Sequence, residues 1–256
     1  MNYEIFVVSL AGENARRNHV KSQFAQYELE PEFVNAIDMR NTQQELLSNY
    51  HEVMRSKNVR ELCASEVGCA LSHLKIAQQV VERNLDFALV AEDDVCLLRN
   101  PKDVFTQMPE FLQQAAFDVA ILGYVKVYRE HLADYYHRMP MKTEAKFGDY
   151  IVGSPWKQKH CGAVAYILTQ EGARKLLCAN TPVSYVADAW DEFVYRHDLR
   201  VKHIRPSIAI ESLDFLSTNN NDKHRPVQKN VFSQMFHLLK CKCLEIGMNY
   251  LHISPR

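Results

Sequence analysis

Hydrophobic and polar positions alternate along this chain in long blocks. The segment YEIFVVSL (residues 3–10) is almost continuously apolar and rich in β-branched and aromatic side chains, the pattern of a buried strand. Gly12 and Asn14 break it, and ARRNHVKSQFAQY follows with Val20 and Phe24 at helical spacing. EFVNAID is a second strand, ending on Asp38, and TQQELLSNYHEVMRS a second helix. Ser65 is the expected cap of SEVGCALSHLKIAQQVVER, whose Val67, Leu71, Leu74, Ala77 and Val81 fall on one helical face. DFALVA, FDVAILG and GAVAYILT read as strands three to five, followed by the helix EGARKLLCA and the strand-like VKHIRPSIAIE. Strands alternating with helices predict an α/β fold, a parallel or mixed sheet flanked by helices. Ligands in such sheets bind beyond the carboxyl ends of the strands. Ser9, Asp38 and the acidic trio Glu92, Asp93 and Asp94 should therefore line one crevice.

The last forty residues differ. STNNNDKHRP (217–226) reads as a mobile loop. From Lys223 onward, six cations (Lys223, Arg225, Lys229, Lys240, Lys242 and Arg256) face one acid, Glu245. Phe232, Met235, Phe236, Leu239, Cys243 and Ile246 form one helical stripe. Such a stripe more often packs on its own domain; a basic amphipathic helix also lies on anionic membranes, here the inner membrane.

Composition narrows the class. With 47% hydrophobic residues the chain can bury a core, and a net charge of −1 creates no global field for nucleic acid. Seven cysteines without a CxxC pair argue against a disulfide framework and a structural zinc site, and for a reducing compartment. Cys63, Cys69, Cys96, Cys161 and Cys178 are read as small buried hydrophobes. The N-terminus has its apolar run ahead of its positive charge, the reverse of a signal peptide, and no stretch reaches the roughly 20 apolar residues of a membrane span. A cytoplasmic protein is expected.

Three adjacent carboxylates after five apolar residues need either solvent or a cation. Glu92 and Asp94, two apart on an extended segment, face one way. Such an oxygen-rich pair suits Mg²⁺ or Mn²⁺, which recruit substrate phosphates as further ligands. The alternative is an Asp-rich turn capping the next segment. Among metal–phosphate folds, a haloacid-dehalogenase phosphatase needs Asp where Glu92 stands, and a response-regulator receiver is much shorter. A sugar-nucleotide glycosyltransferase carries its acids about a third of the way along, as here. No GxGxxG or Walker pattern supports a nucleotidyl or phosphoryl transferase.

SEVGCALSHLKIAQQVVE, then a strand ending in EDDV, then GAVAYILTQEGARKLL resembles glycosyltransferase family 25, the bacterial lipooligosaccharide galactosyltransferase family related to the collagen galactosyltransferases. The opening VVSLAGENARRNHVKSQF and the FVNAID strand share the likeness, which spans roughly residues 3–190. The resemblance implies a GT-A type fold, a UDP-sugar donor (usually UDP-galactose), a divalent cation, a lipooligosaccharide or lipopolysaccharide core acceptor and inversion at the anomeric carbon. It divides the chain into a catalytic domain over 1–216 (donor half about 1–125, acceptor half about 126–216) and the tail 217–256.

On this resemblance Asp94 is a metal ligand, with Glu92 helping directly or through the ribose and Asp93 beside them. Ser9 and Leu10 meet the uracil end, Arg16 or Arg17 the phosphates, and Asp38 ribose or uracil. The arginines read equally as a solvated helix face. Ser72 and His73 belong to the motif beside the donor; His73 either touches phosphate or sugar or packs helix against sheet. The base should come from TPVSYVADAWDEFVYRH, with Asp188 first and Asp191 second. Family members place Asp directly after Pro and an apolar residue; here Pro182 and Val183 are followed by Ser184. Trp156 and Trp190 are candidate platforms for an acceptor sugar, or core. Of His160, His203 and His224 as a further metal ligand, His224 is preferred because its polar loop can close over the donor.

Overall fold

The computed structural model describes residues 1–40, 44–156, 160, 162–212 and 231–250. The chain runs β1 (Tyr3–Ser9), α1 (Asn14–Ala25), β2 (Glu32–Asn35), α2 (Gln44–Ser56), α3 (Ala64–Glu82), β3 (Phe87–Glu92) and β4 (Val95–Leu97). It continues through α4 (Lys102–Phe105), α5 (Met108–Ala115), β5 (Val119–Ile121), β6 (Gly123–Tyr124), α6 (Leu132–Arg138), β7 (Met141–Phe147) and β8 (Tyr150–Pro155). The remainder is β9 (Ala165–Thr169), α7 (Gln170–Asn180), α8 (Trp190–His197), β10 (Val201–Arg205), β11 (Ala209–Glu211) and α9 (Val231–Tyr250).

Eight strands form one mixed sheet in the order β2-β1-β3-β9-β5-β10-β8-β7. Parallel pairing joins β1 to β2 and β3, and β5 to β10. β9 lies antiparallel between β3 and β5, and the β7–β8 hairpin extends the sheet from β10. A small sheet, β4-β11-β6, sits beside the carboxyl end of β3. The expected α/β architecture is thus present, with one sheet crossing both expected halves.

The unbroken apolar strands follow from burial on both faces. Ile5 and Val7 of β1 and Leu89 of β3 pack with Val20 and Phe24 of α1 on one side. Phe6 and Val8, with Ala88 and Val90, pack with Ile76 and Val80 of α3 on the other. Successive side chains of a strand point to opposite faces, so only a run without polar interruptions suits this position.

Several local expectations shift. The cap of α3 is Cys63, not Ser65, and Glu66 reaches back to accept from the Cys63 backbone N–H at 2.9 Å. The buried face of α3 carries Val67, Gly68, Ala70, Ser72, His73, Ile76, Ala77 and Val80, while Leu71, Leu74 and Val81 are half-buried. The helix lies so close to the chain leaving β2 that a Cβ on Gly68 would stand 2.3 Å from the Ile37 carbonyl oxygen. Ser72 is tolerated in that contact because its hydroxyl accepts from the Ile37 N–H and donates to the Gly68 carbonyl. β2 ends at Asn35, so Asp38 lies past it on the connecting segment. Cys63, Cys69 and Cys178 are exposed and Cys96 half-buried, against the expectation of buried thiols; Cys161 lies outside the described residues.

The loop 217–226 also lies outside them. α9 packs on α6 and β7 through Cys241 and Met248, and the Asn249 amide bonds to the β7 backbone. Its opposite row, Leu239, Cys243, Ile246 and Tyr250, is exposed, with Lys240 and Lys242 on either side. The described part of the apolar stripe is therefore not the face that packs. No helix among the described residues is long and apolar enough to cross a membrane.

Candidate active site

The carboxyl ends of β1 and β3 open into a cleft of about 350 Å³. Among its lining residues are Ser9, Leu10, Arg16, Asp38, His73, Glu92, Asp93 and Asp94, together with Cys69, Arg40 and Glu211. Parallel register puts Val8 opposite Glu92, which brings the Ser9–Leu10 end of β1 beside the acids. The acidic turn is clamped from the small sheet, where the Ser212 N–H donates to the Asp94 carbonyl at 2.7 Å and Glu211 pairs with Val95.

The charges are unequally neutralised. Arg16 of α1 donates to Asp93 Oδ1 at 2.8 Å and lies 3.6 Å from Asp94 Oδ2. Asp94 Oδ1 is buried and has no hydrogen-bond partner. Burial, then the neighbouring Glu92, Glu211 and Asp93 charges, push the Asp94 carboxyl up to about 8, with Arg16 pulling the other way. An orphaned, buried carboxylate oxygen among acids fits a hard divalent cation, with Asp94 and Glu92 the residues that could hold it.

The two arginines have different jobs. Arg17 donates to Ser9 Oγ (3.3 Å), the Ser9 carbonyl (3.1 Å) and Asn35 Oδ1 (2.6 Å), tying the ends of β1 and β2 together. Of the two, Arg16 lines the cleft and Arg17 does not, which leaves Arg16 as the phosphate candidate. Asp38 receives Arg40 through both oxygens at 2.8 and 2.6 Å, and this partner holds its carboxyl down at about 2.

His73 sits at the cleft floor. Its Nδ1 bonds the buried Tyr166 hydroxyl at 2.8 Å, and Nε2 points at Glu92 Oε1 3.6 Å away. Burial opposes a charge on this ring, but Tyr166, Cys69 and Glu92 outweigh it and raise the imidazole well above its usual range.

Asp188 and Asp191 are not among the residues that line the cleft; both hold the segment around Gly162. Asp188 Oδ2 accepts from the Gly162 N–H at 3.1 Å, and Asp191 Oδ1 from the His160 N–H at 3.0 Å. Burial foremost, and then Glu92, raise the Asp188 carboxyl against the lowering by Gly162; His73 acts on it as well, which sets Asp188 within electrostatic reach of the cleft.

Other candidates are core. Trp190 is fully buried, its Nε1–H donating to the Gly162 carbonyl at 3.0 Å, so it offers no face to a sugar; Trp156 is half-buried. His203 is buried with both ring nitrogens engaged, by Tyr124 Oη at 3.0 Å and His160 Nδ1 at 2.9 Å. Burial lowers both imidazoles, His160 to about 4. The pair is thus a buried hydrogen-bonded unit rather than open metal ligands. His224 lies outside the described residues. Sequence reasoning missed Glu211, Cys69 and Tyr166; an acid closing the AIE strand was the one available signal for Glu211.

A polar cleft at the carboxyl ends of parallel strands, lined by a carboxylate cluster, defines an α/β protein with its candidate site where such sheets take their ligands. The sequence profile of glycosyltransferase family 25 (LPS biosynthesis protein) matches residues 2–193, and the chain belongs to that family. Human procollagen galactosyltransferase 2 is 29% identical over 185 residues, covering 69% of this chain and 28% of that protein. The lipooligosaccharide biosynthesis protein lic2B of Haemophilus influenzae is 24% identical over 179 residues, 67% of this chain and 61% of that one. Human inactive glycosyltransferase 25 family member 3 is 31% identical over 202 residues, 75% of this chain and 31% of its own length. The chain thus spans under a third of these human relatives and about three fifths of lic2B.

Proposed function

We propose that this protein is an inverting, metal-dependent glycosyltransferase that moves a hexose, galactose, from a UDP-sugar to a core sugar of a lipooligosaccharide or lipopolysaccharide. The carrying observation is Asp94, a half-buried carboxylate whose Oδ1 is buried and unpartnered among Glu92, Glu211 and Asp93 just past the end of β3. The cation, Mn²⁺ or Mg²⁺, would be held by Asp94 and Glu92, with His224 the proposed late ligand, and would supply Lewis-acid stabilisation of the departing diphosphate.

The chain's own residues do the rest. Ser9, Leu10 and Asp38 line the end of the cleft suited to the nucleoside, and Arg16 stands where it can reach phosphate. His73, held by Tyr166, presents positive charge toward Glu92 and the donor. Asp188 takes the proton of the acceptor hydroxyl as its oxygen attacks the anomeric carbon and the bond to UDP breaks. Burial and the Glu92 charge raise its carboxyl, the direction that favours a base. Asp191 is the second choice.

The test is UDP release from UDP-galactose with Mn²⁺, with and without a lactosyl or heptosyl acceptor. The absence of both hydrolysis and transfer with every UDP-hexose overturns the reading. UDP-glucose and UDP-N-acetylhexosamines in the same assay decide the alternative donors. A non-catalytic sugar-nucleotide binder is the second reading, supported by likeness to a human relative named as inactive. An Asp94→Asn strain with an unchanged surface glycolipid would favour it. Cytoplasmic action at the inner membrane suits a glycolipid acceptor, and the outward apolar row of α9 flanked by Lys240 and Lys242 supports peripheral contact. Sedimentation with anionic but not neutral vesicles is expected.

A further inference from the structure

The cleft contains a second donor set of different chemistry. Cys69 and His73 stand four residues apart on one face of α3, and Glu92 meets them from the end of β3. One ligand atom of each, thiol sulfur, imidazole nitrogen and carboxylate oxygen, lies within 4.8 Å of the other two. Around a tetrahedral ion with bonds of about 2.0–2.3 Å, ligand atoms sit roughly 3.3–3.8 Å apart. His73 Nε2 and Glu92 Oε1 are already 3.6 Å apart.

An independent feature points into the same space. His73 is 6% exposed, yet its Nε2 is buried and makes no hydrogen bond. Its orientation is set from behind by Tyr166 at Nδ1, the arrangement in which an outer partner aims a metal-binding imidazole. Cys69 is exposed and lines the cleft, so an ion has a path in and a fourth position open to water.

We infer that Cys69, His73 and Glu92 form a site for a thiophilic divalent ion of the zinc class, whose occupation takes Glu92 away from the hard-cation site at Asp94. Thiolate and imidazole select zinc-like ions, whereas an all-oxygen set suits Mn²⁺ or Mg²⁺. Because Glu92 belongs to both sets, the two ions antagonise each other. Binding replaces the proton on Nε2 and that on the Cys69 sulfur, both released to buffer, without redox change. The consequence is a cleft that a zinc-class ion closes to the donor. Binding of the zinc-class ion itself requires no glycosyl transfer, so it stands or falls separately from the proposed activity; the antagonism with Mn²⁺ and the closure to donor rest on that reading.

The test titrates the metal-free full-length protein with Co²⁺, whose thiolate complexes absorb in the near ultraviolet, and then with Zn²⁺. One Co²⁺ per chain with that absorption, displaced by Zn²⁺, is expected. Cys69→Ser should abolish the absorption and weaken ion binding at least a hundredfold, beyond the roughly 10–100-fold cost of losing even an outer partner. Asp94→Asn, Cys63→Ser and Cys178→Ser should retain it. By calorimetry, one equivalent of Zn²⁺ should weaken Mn²⁺ binding tenfold or more in the native protein and leave Cys69→Ser unaffected. Absence of the absorption, its persistence in Cys69→Ser, or simultaneous binding of both ions without antagonism overturns the inference. Circular dichroism of Cys69→Ser, an exposed substitution, verifies that the fold is retained.

Discussion

Replacing Asp94 by Asn should make the cation-free protein more stable while removing its response to cation. Asp94 has a carboxyl raised from 3.8 to about 8, and its side chain is 20% exposed. The unfolded chain releases this proton near pH 4, whereas the folded one keeps it until about 8. Between those values the folded state binds more protons, so stability is highest in acid and falls as pH rises through the folded value. At 1.36 kcal/mol per unit, the penalty at pH 7 is at most about 4 kcal/mol. Water reaching the partly exposed side chain trims this to roughly 2–3 kcal/mol. An amide carries no charge to bury and can donate to the adjacent carboxylates. For a chain of this size the gain is about 5–10 °C in melting temperature. Mn²⁺ at about a hundred times its dissociation constant should stabilise the native protein by about 2.7 kcal/mol and leave the variant unchanged. Differential scanning fluorimetry from pH 4 to 8, with and without Mn²⁺, reads both arms. A variant that melts below the native protein, or that keeps the Mn²⁺ shift, refutes the argument.

Three further outcomes concern the scaffold. Asp118 is fully buried, and although burial opposes its charge, Arg200 and Lys175 hold its carboxyl below the ordinary value. Asp118→Asn should cost about 2–3 kcal/mol in urea unfolding, because the strongly buried partner is lost while the cations can rehydrate. Stability from this group is present above about pH 4 and disappears as pH falls through the lowered value, so the variant should show a shallower acid limb. Gly172→Ala would place a Cβ 2.3 Å from the Asp118 carbonyl oxygen. The helix gain of about 1 kcal/mol is outweighed by overpacking of about 1–3, and a net loss is expected by thermal melting. Trp190→Phe removes the bond to the Gly162 carbonyl and leaves a partial cavity, for a loss of about 2–3 kcal/mol in urea unfolding.

Local pattern carried much of this molecule. The apolar runs of β1, β3 and β9 announced strands covered on both faces, and helical spacing announced α1, α3 and α7, because burial is written into neighbouring side chains. The acids at 92–94 were legible as a strand-end cluster for the same reason. Which residues meet them was not. Glu211 arrives from more than a hundred positions away through the pairing of β11 with β4, and Tyr166 reaches His73 because β9 pairs antiparallel with β3. The adjacent arginines 16 and 17 look interchangeable in one dimension, yet one step round a helix sends the first to Asp93 and the second to Ser9 and Asn35. The half-polar β7–β8 hairpin showed no clear period because it closes one edge of the sheet. Trp190, open in sequence to either a sugar platform or core, and His203, one of three candidate histidines, are sealed by packing that no window of sequence contains. Periodicity records whether a position is buried; the partner across the gap is set by strand order and register, which exist only once distant segments have assembled.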